Sequence, residues 1–145
     1  NKIQATLNII LIIKNLHLKN CPQKFLIFGG IFYLKKDNLS NTGYAHEQAE
    51  ILNFIKKQKN LFIVNGDRHW QYVTNIKDTN LWEFGCGAGA DVHAGGWKQE
   101  DFRPEHQFLR VKGGFLSVSV CSGKSPSIRF THHDVEGNPV NEVNF

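Results

Sequence analysis

The chain has 145 residues, of which 41% are hydrophobic and 21% are charged, a composition typical of one ordinary globular domain. Its formal net charge is only +4, and its lysines are spread along the chain rather than clustered, so no nucleic-acid footprint is expected. A mildly positive surface also suits a phosphate-bearing substrate. The apolar run at residues 7–13 is too short to cross a bilayer, and we predict no membrane span.

The cysteines indicate neither a metal site nor a disulfide framework. Cys21, Cys86 and Cys121 are widely separated and form no C-x-x-C pair and no zinc-type spacing. Because an odd number of thiols cannot all pair within one chain, buried free thiols are the simpler interpretation. Cys86 has no evident base partner, which gives little support to nucleophilic catalysis by cysteine.

The first half of the chain predicts a βαβ unit. Residues 24–29 and 61–65 are short apolar runs that end in glycine-containing turns, a pattern typical of buried strands. Residues 45–57 between them carry apolar side chains at helical spacing, which predicts an amphipathic helix. The positions on this stripe are Ala45, Ala49, Leu52 and Ile55. The two strands are therefore expected to be parallel.

The pattern changes after His69 to short segments with strand character. These segments are residues 70–76, 81–84, 108–111, 115–120 and 127–131, followed by a turn at 134–138. Their lengths and intervening turns predict antiparallel strands. With neither an internal repeat nor a linker, residues 1–145 are expected to form a single domain of the α/β (α+β) class, with a βαβ start followed by antiparallel strands.

A possible reactive site follows the second predicted strand, in the segment Gly66-Asp-Arg-His-Trp70. Residues just past such a strand lie where open α/β sheets bind their ligands. Asp67 offers a carboxylate and His69 an imidazole, both of which bind metal ions, and the Arg68 guanidinium can hold a phosphate oxygen. The spacing fits a structural role equally well, in which Asp67 caps the turn and His69 packs under Trp70.

Residues 85–96 form a glycine-rich segment with a second D-x-H pattern, Asp91-Val-His93. No helical pattern follows it, so it is not the dinucleotide-binding loop that joins a strand to a helix. Flexible glycines beside His93 and Trp97 suit a loop that faces a substrate. A loop packed against the edge of the sheet is the simpler interpretation.

The remaining histidines are weaker candidates. His132 and His133 are neighbours at the end of the last predicted strand, so at most one of them can face a site. His46 lies in the first turn of the predicted helix and is expected to face solvent, and His106 has no role that the sequence suggests.

Several blocks of the sequence together resemble one protein family. The segment 65–70, with its G-D-x-H motif after a buried strand and an aromatic residue behind it, resembles the PhoD-like alkaline phosphatases, a branch of the calcineurin-like metallophosphoesterases. Further blocks in the same order are residues 35–38, 43–47, 83–87, 91–97, 108–117 and 132–134. The resemblance covers about residues 35–140, and the ordered set is more specific than the motif alone.

The resemblance implies a metallophosphoesterase sandwich of two packed sheets flanked by helices. It implies hydrolysis of phosphate mono- or diesters at two or more metal ions, commonly iron with calcium. Asp67 and His69 match the motif positions that bind or adjoin those ions and are the expected metal-binding and catalytic residues. Arg68, Trp70 and His93 are then expected to contact the phosphate ester. Family members are often exported to the periplasm or the extracellular medium.

Other features of the family pattern are missing from this sequence. None of the family's earlier metal-binding motifs occurs in residues 1–60, Leu39 stands where a histidine is expected, and the chain contains no methionine. We therefore expect a fragment, the carboxyl-terminal part of a larger metallophosphoesterase domain whose amino-terminal part completes the site. The alternative is a truncated, non-catalytic relative that lacks a complete bimetal site and at most binds phosphate.

Overall fold

The computed structural model describes residues 11–12, 24–28, 45–76, 79–121 and 125–145. Within these ranges the fold is mixed α+β, with one α-helix and two β-sheets, as the sequence predicted. The elements are β1 Leu11–Ile12, β2 Lys24–Phe28, α1 Ala45–Ile55, β3 Leu61–Asn65, β4 Gln71–Asn75, β5 Trp82–Cys86, β6 His106–Arg110, β7 Phe115–Cys121, β8 Ser127–His133 and β9 Pro139–Asn144. Cys21, Leu39 and the block 35–38 lie outside the described residues.

The βαβ unit is present. β2 and β3 are parallel and in register from Lys24 opposite Leu61 to Phe28 opposite Asn65. The helix α1 packs on one face of this sheet through Ile55, which is buried together with apolar residues of β3 and of the segment after β4. The predicted stripe is wrong at Ala49, which is exposed; residues at i, i+1 and i+4 form the buried face instead. These residues are Ile51, Leu52 and Ile55.

The first sheet has six strands in the order β1-β2-β3-β5-β4-β6. β4 lies beyond β5 and runs antiparallel to it, so the chain reverses twice and β5 returns parallel to β3. This parallel pair differs from the antiparallel pattern expected after His69. It arises because β4 does not pair with β3 but leaves the position beside β3 to β5.

The second sheet contains β7, β8 and β9 in that order, all antiparallel. Residues 112–114, between the predicted strands 108–111 and 115–120, do not form a hairpin; they carry the chain from β6 in the first sheet to β7 in the second. Gly114 is required at this crossing, because a Cβ there would lie 2.0 Å from the His133 carbonyl oxygen. Strand β9 has no counterpart among the predicted strands, because its side chains alternate little in hydrophobicity.

The two sheets pack face to face as a sandwich. Phe62, Val73 and Phe84 of the first sheet are buried against Ile128 and Phe130 of the second. This core fixes the carboxyl ends of β3 and β5 side by side at one edge of the first sheet, where the loops 66–70 and 87–97 begin.

Candidate functional site

The backbone of the loop after β3 is bent sharply at Asp67. Its φ angle is +63°, in the left-handed region that residues other than glycine seldom adopt, although aspartate and asparagine tolerate it better than most. The Arg68 N–H donates to the Gly66 carbonyl oxygen over 2.8 Å. The Asp67 side chain is exposed and makes no hydrogen bond or ion pair with the described residues, so it does not cap this turn.

His69 and its two neighbours have different surroundings. The His69 side chain is exposed and is not packed under Trp70, which rules out the structural role that the sequence left open. Trp70 is 3% exposed and Arg68 is 8% exposed, and the Arg68 guanidinium carbon lies 5.8 Å from the centre of the Trp70 ring. Arg68 and Trp70 therefore form the packed base of the loop, while Asp67 and His69 project into solvent.

The glycine-rich loop lies against this segment. The Gly95 N–H donates to the His69 carbonyl oxygen over 3.0 Å, and a Cβ on Gly96 would lie 3.1 Å from the Trp70 ring. The rings of Trp70 and Trp97 are 5.5 Å apart. The interpretation as a loop packed against the sheet edge is therefore confirmed for these residues.

The second D-x-H pattern occupies a single turn of 3₁₀ helix, Asp91–His93. The Asp91 Oδ1 atom accepts a hydrogen bond from the Gly113 N–H over 2.7 Å, which ties this turn to the connection between the sheets. His93 is exposed and faces solvent from the same loop. Since Asn65 pairs with Gly85 in parallel strands, both D-x-H loops leave the same edge of the sheet.

A buried polar cluster lies directly beneath the loop. Asn65, Tyr72 and Glu83 are each at most 1% exposed. The Asn65 amide Nδ2 donates to the Tyr72 hydroxyl oxygen over 2.8 Å and also to Glu83 Oε1, and the Tyr72 hydroxyl donates to Glu83 Oε1 over 2.9 Å. The Asn65 side chain, two positions before Asp67, is thus held by hydrogen bonds to side chains of β4 and β5.

Sequence reasoning missed this cluster. Its members are distant in sequence, and each alone is an unremarkable strand residue. The only local signal is that a glutamate occupies the second position of the short apolar strand Trp82–Cys86, where a charged residue is seldom fully buried without a partner.

Burial shifts the pKa values of two acidic groups near this edge. The pKa of Tyr72 lies well above 10.0, first because the phenol is buried and second because the Glu83 carboxylate is close to it. Burial also raises the pKa of the Cys86 thiol from 9.0 to about 11. Cys86 is therefore a protonated thiol at neutral pH, in agreement with the weak sequence support for a cysteine nucleophile.

The other histidines in the described ranges occupy four different environments. His46 is exposed and lies 3.3 Å from Glu50 on α1, as expected. His106 is buried, its Nδ1 accepts from the Arg103 N–H, and its pKa is lowered mainly by burial. His132 is buried between the sheets, whereas His133 points to the outer face of the second sheet, so only one of the pair enters the core.

Within the described ranges, no group of three or more His, Cys, Asp or Glu side chains is arranged to hold a metal ion. Asp67 and His69 supply two suitable donors, a carboxylate oxygen and an imidazole nitrogen.

No helix in the described part of the chain is long and apolar enough to cross a membrane. The buried-thiol interpretation of the cysteines is wrong for Cys121, which is exposed at the end of β7.

Comparisons with known proteins give a fold similarity only. No protein-family model matches the sequence, and no curated protein matches it. Among solved structures, the chain is similar to GAP50, described as the anchor in the inner membrane complex of Plasmodium, with a TM-score of 0.57 and 14% sequence identity. The match covers 82% of this chain and 35% of that chain, so this chain spans about a third of GAP50. At this identity the similarity shows a shared fold and carries no function.

Proposed function

We propose that this chain is the carboxyl-terminal part of a metal-dependent phosphoesterase, in which Asp67 and His69 bind metal at the edge of the first sheet. The supporting observation is that both side chains are exposed, without partners among the described residues, on a loop whose backbone is held in an uncommon conformation at Asp67. Strained backbone that surrounding structure maintains is found often at functional sites. The resemblance to PhoD-like phosphatases gives this site its proposed reaction.

The surroundings of the loop suit a rigid site. Trp70 packs against Trp97, and Asn65 is held by Tyr72 and Glu83. These contacts fix both ends of the segment 66–69, which reduces the entropy lost when two side chains converge on one ligand. His93, exposed on the neighbouring loop, is the proposed contact for the phosphate ester, whereas Arg68 and Trp70 are buried and support the loop from its base.

The proposed metal ions would activate a water molecule and neutralise the charge of the phosphate oxygens. Asp67 contributes negative charge and oxygen ligation, and His69 contributes a neutral nitrogen donor. The remaining ligands of a two-metal site must come from outside the described residues. Export to the periplasm or the extracellular medium is part of the same proposal.

A second candidate function is phosphate binding without hydrolysis. It is favoured by the donor set, because no three metal-binding side chains are grouped at this edge within the described residues. In that case the loop would bind the anion, and hydrolysis would not follow.

The test of the proposed hydrolysis is p-nitrophenyl phosphate turnover, with and without added iron and calcium, by a protein in which the 145-residue chain is joined to the amino-terminal part of the domain. We expect metal-dependent hydrolysis that Asp67→Asn lowers by about 100-fold or more, in the range typical of loss of an electrostatic catalytic group. Asparagine tolerates the left-handed backbone of this position, so this variant removes the charge while it keeps the loop.

The matched control is Glu100→Gln, which removes the same charge from an exposed residue and should leave the rate unchanged. A rate that is independent of metal, or that Asp67→Asn does not alter, contradicts the proposed hydrolysis. Bound inorganic phosphate in the absence of turnover supports the second candidate instead.

A further inference from the structure

A serine and a histidine meet on the outer face of the second sheet, away from the core between the sheets. Ser117 on β7 and His133 on β8 are partly exposed, and the Ser117 Oγ atom lies 2.8 Å from His133 Nε2. This distance is within the range found between a catalytic nucleophile and its base. In the sequence His133 is notable only as half of a His-His pair, and the proposed phosphoesterase function does not use it.

The tautomer of the His133 ring follows from its other contact. His133 Nδ1 lies 3.0 Å from the Gly137 carbonyl oxygen. A carbonyl oxygen only accepts hydrogen bonds, so Nδ1 carries the proton, and Nε2 of the neutral ring is left as an acceptor. The Ser117 hydroxyl must then donate to Nε2, because its alternative acceptor, the Thr131 carbonyl oxygen, is 3.5 Å away.

The turn after β8 holds the third member of this arrangement in place. Asp134 Oδ1 accepts from the backbone N–H groups of Glu136 and Asn138 over 3.1 and 2.8 Å. The Gly137 N–H donates to the Asp134 carbonyl oxygen, and Gly137 has a φ angle of +92° that favours glycine. The carbonyl that orients His133 therefore belongs to a well-bonded turn.

An apolar surface adjoins the pair. The Phe115 ring stacks on the His133 ring with centroids 4.6 Å apart and an interplanar angle of 11°. Phe115 remains 47% exposed, so its ring limits the motion of His133 and offers an apolar contact beside the Ser117 hydroxyl. A nucleophile, a base, a group that orients the base and an apolar surface thus occur together.

We propose that Ser117 and His133 form a nucleophile–base pair that accepts an acyl or phosphonyl group from small activated esters. Ser117 Oγ forms the new bond to the carbonyl carbon or phosphorus, and its proton passes to His133 Nε2. The bond to the leaving group breaks, and a weakly basic leaving group such as fluoride departs as the anion. This activity is independent of the metal site at Asp67 and His69.

The probe that tests this pair is an alkyl fluorophosphonate, with the adduct located by mass spectrometry of peptides. Ser119 is the internal control, because it lies two residues further along β7 on the same outer face. General-base assistance contributes about 10²–10⁴ in rate, so we expect Ser117 to be labelled at least ~100-fold faster than Ser119. Equal labelling of the two serines in the unaltered chain would overturn the proposal, and this comparison needs no variant to fold.

Two variants separate the role of His133 from simple exposure of Ser117. His133→Gln should reduce labelling of Ser117 to about the rate of Ser119, whereas Ser119→Ala should leave Ser117 labelling unchanged. Retention of fast Ser117 labelling in a folded His133→Gln chain would show that His133 is not the base, contrary to the proposal. Because metal ions play no part in this chemistry, failure here would leave the phosphoesterase proposal standing.

Discussion

At the scale of single residues, His132 makes stability depend on pH. Its Nε2–H donates to the Gly85 carbonyl oxygen over 2.9 Å and so links β8 to β5 across the sandwich. Burial lowers its pKa from 6.5 to about 4. The unfolded chain therefore binds a proton more readily than the folded chain between these two values.

The direction of the pH effect follows from this difference. The contribution of neutral His132 to the free energy of unfolding is fully present above pH 6.5 and decreases as the pH falls towards 4. At pH 4 the loss is about 3 kcal/mol. We expect His132→Gln to remove this part of the acid sensitivity, as measured by urea unfolding at pH 7 and at pH 4. His46→Gln, at an exposed histidine, is the control and should keep the acid sensitivity of the unaltered chain. An unchanged acid sensitivity in His132→Gln would contradict the argument.

The residues of the candidate site illustrate what a local motif can predict. The chemistry of Asp67 and His69 and their position after a strand could be predicted, because both depend on adjacent residues. Their exposure could not, since the sequence fitted a capped turn and a packed histidine equally well. The cluster of Asn65, Tyr72 and Glu83 depends on three strands brought together by the fold, and no local pattern contains that information.

At the scale of elements, a stacked aromatic pair joins the two sheets at the centre of the sandwich. The rings of Phe84 on β5 and Phe130 on β8 are stacked with centroids 3.9 Å apart and an interplanar angle of 7°, and both side chains are fully buried. Aromatic pairs contribute about 0.5–1.5 kcal/mol beyond the area that they bury. We expect a double-mutant cycle of Phe84→Leu and Phe130→Leu to give a coupling energy in this range.

A second cycle provides the comparison for this measurement. Phe54 is 60% exposed on α1 and lies outside the cluster between the sheets, so Phe54→Leu combined with Phe84→Leu should give additive changes in the free energy of unfolding. A coupling energy near zero for Phe84 with Phe130 would mean that burial of apolar area alone holds the sheets together, and that stacking of the two rings adds nothing.

The elements themselves were predictable to different degrees. Strand β3 and the helix α1 followed from apolar periodicity, because each buries one continuous apolar run or stripe. The parallel pairing of β5 with β3 was not predictable, since it depends on which edge β4 occupies. Strand β9 is mostly exposed, and its backbone pairing with β8 rather than an apolar pattern makes it a strand.

At the scale of the whole molecule, the two proposed sites lie on different sheets. The Asp67 loop leaves the edge of the first sheet, whereas Ser117 lies on the outer face of the second sheet. The two sites share no residues. Variants at one site therefore serve as controls of folding for the other.

Metal binding at Asp67 and His69 should stabilise the whole fold even if no phosphate ester is hydrolysed. An ion that binds only the folded chain raises the free energy of unfolding by about 2.7 kcal/mol at about 100 times its dissociation constant. The β3–β4 loop is joined to the core through Asn65, so this energy should appear as a higher melting temperature of the cooperative unfolding transition. The measurement is calorimetry of the 145-residue chain over a series of calcium or iron concentrations.

The variants of this experiment separate binding by the site from general effects of salt. Asp67→Asn and His69→Gln should each remove most of the increase in melting temperature, whereas Glu100→Gln should keep it. An increase without p-nitrophenyl phosphate turnover would support a metal-binding relative that lacks the remaining catalytic ligands. No increase in the unaltered chain, or the same increase in Asp67→Asn, would mean that the exposed carboxylate and imidazole do not bind these ions, and the proposed metal site would have to be abandoned.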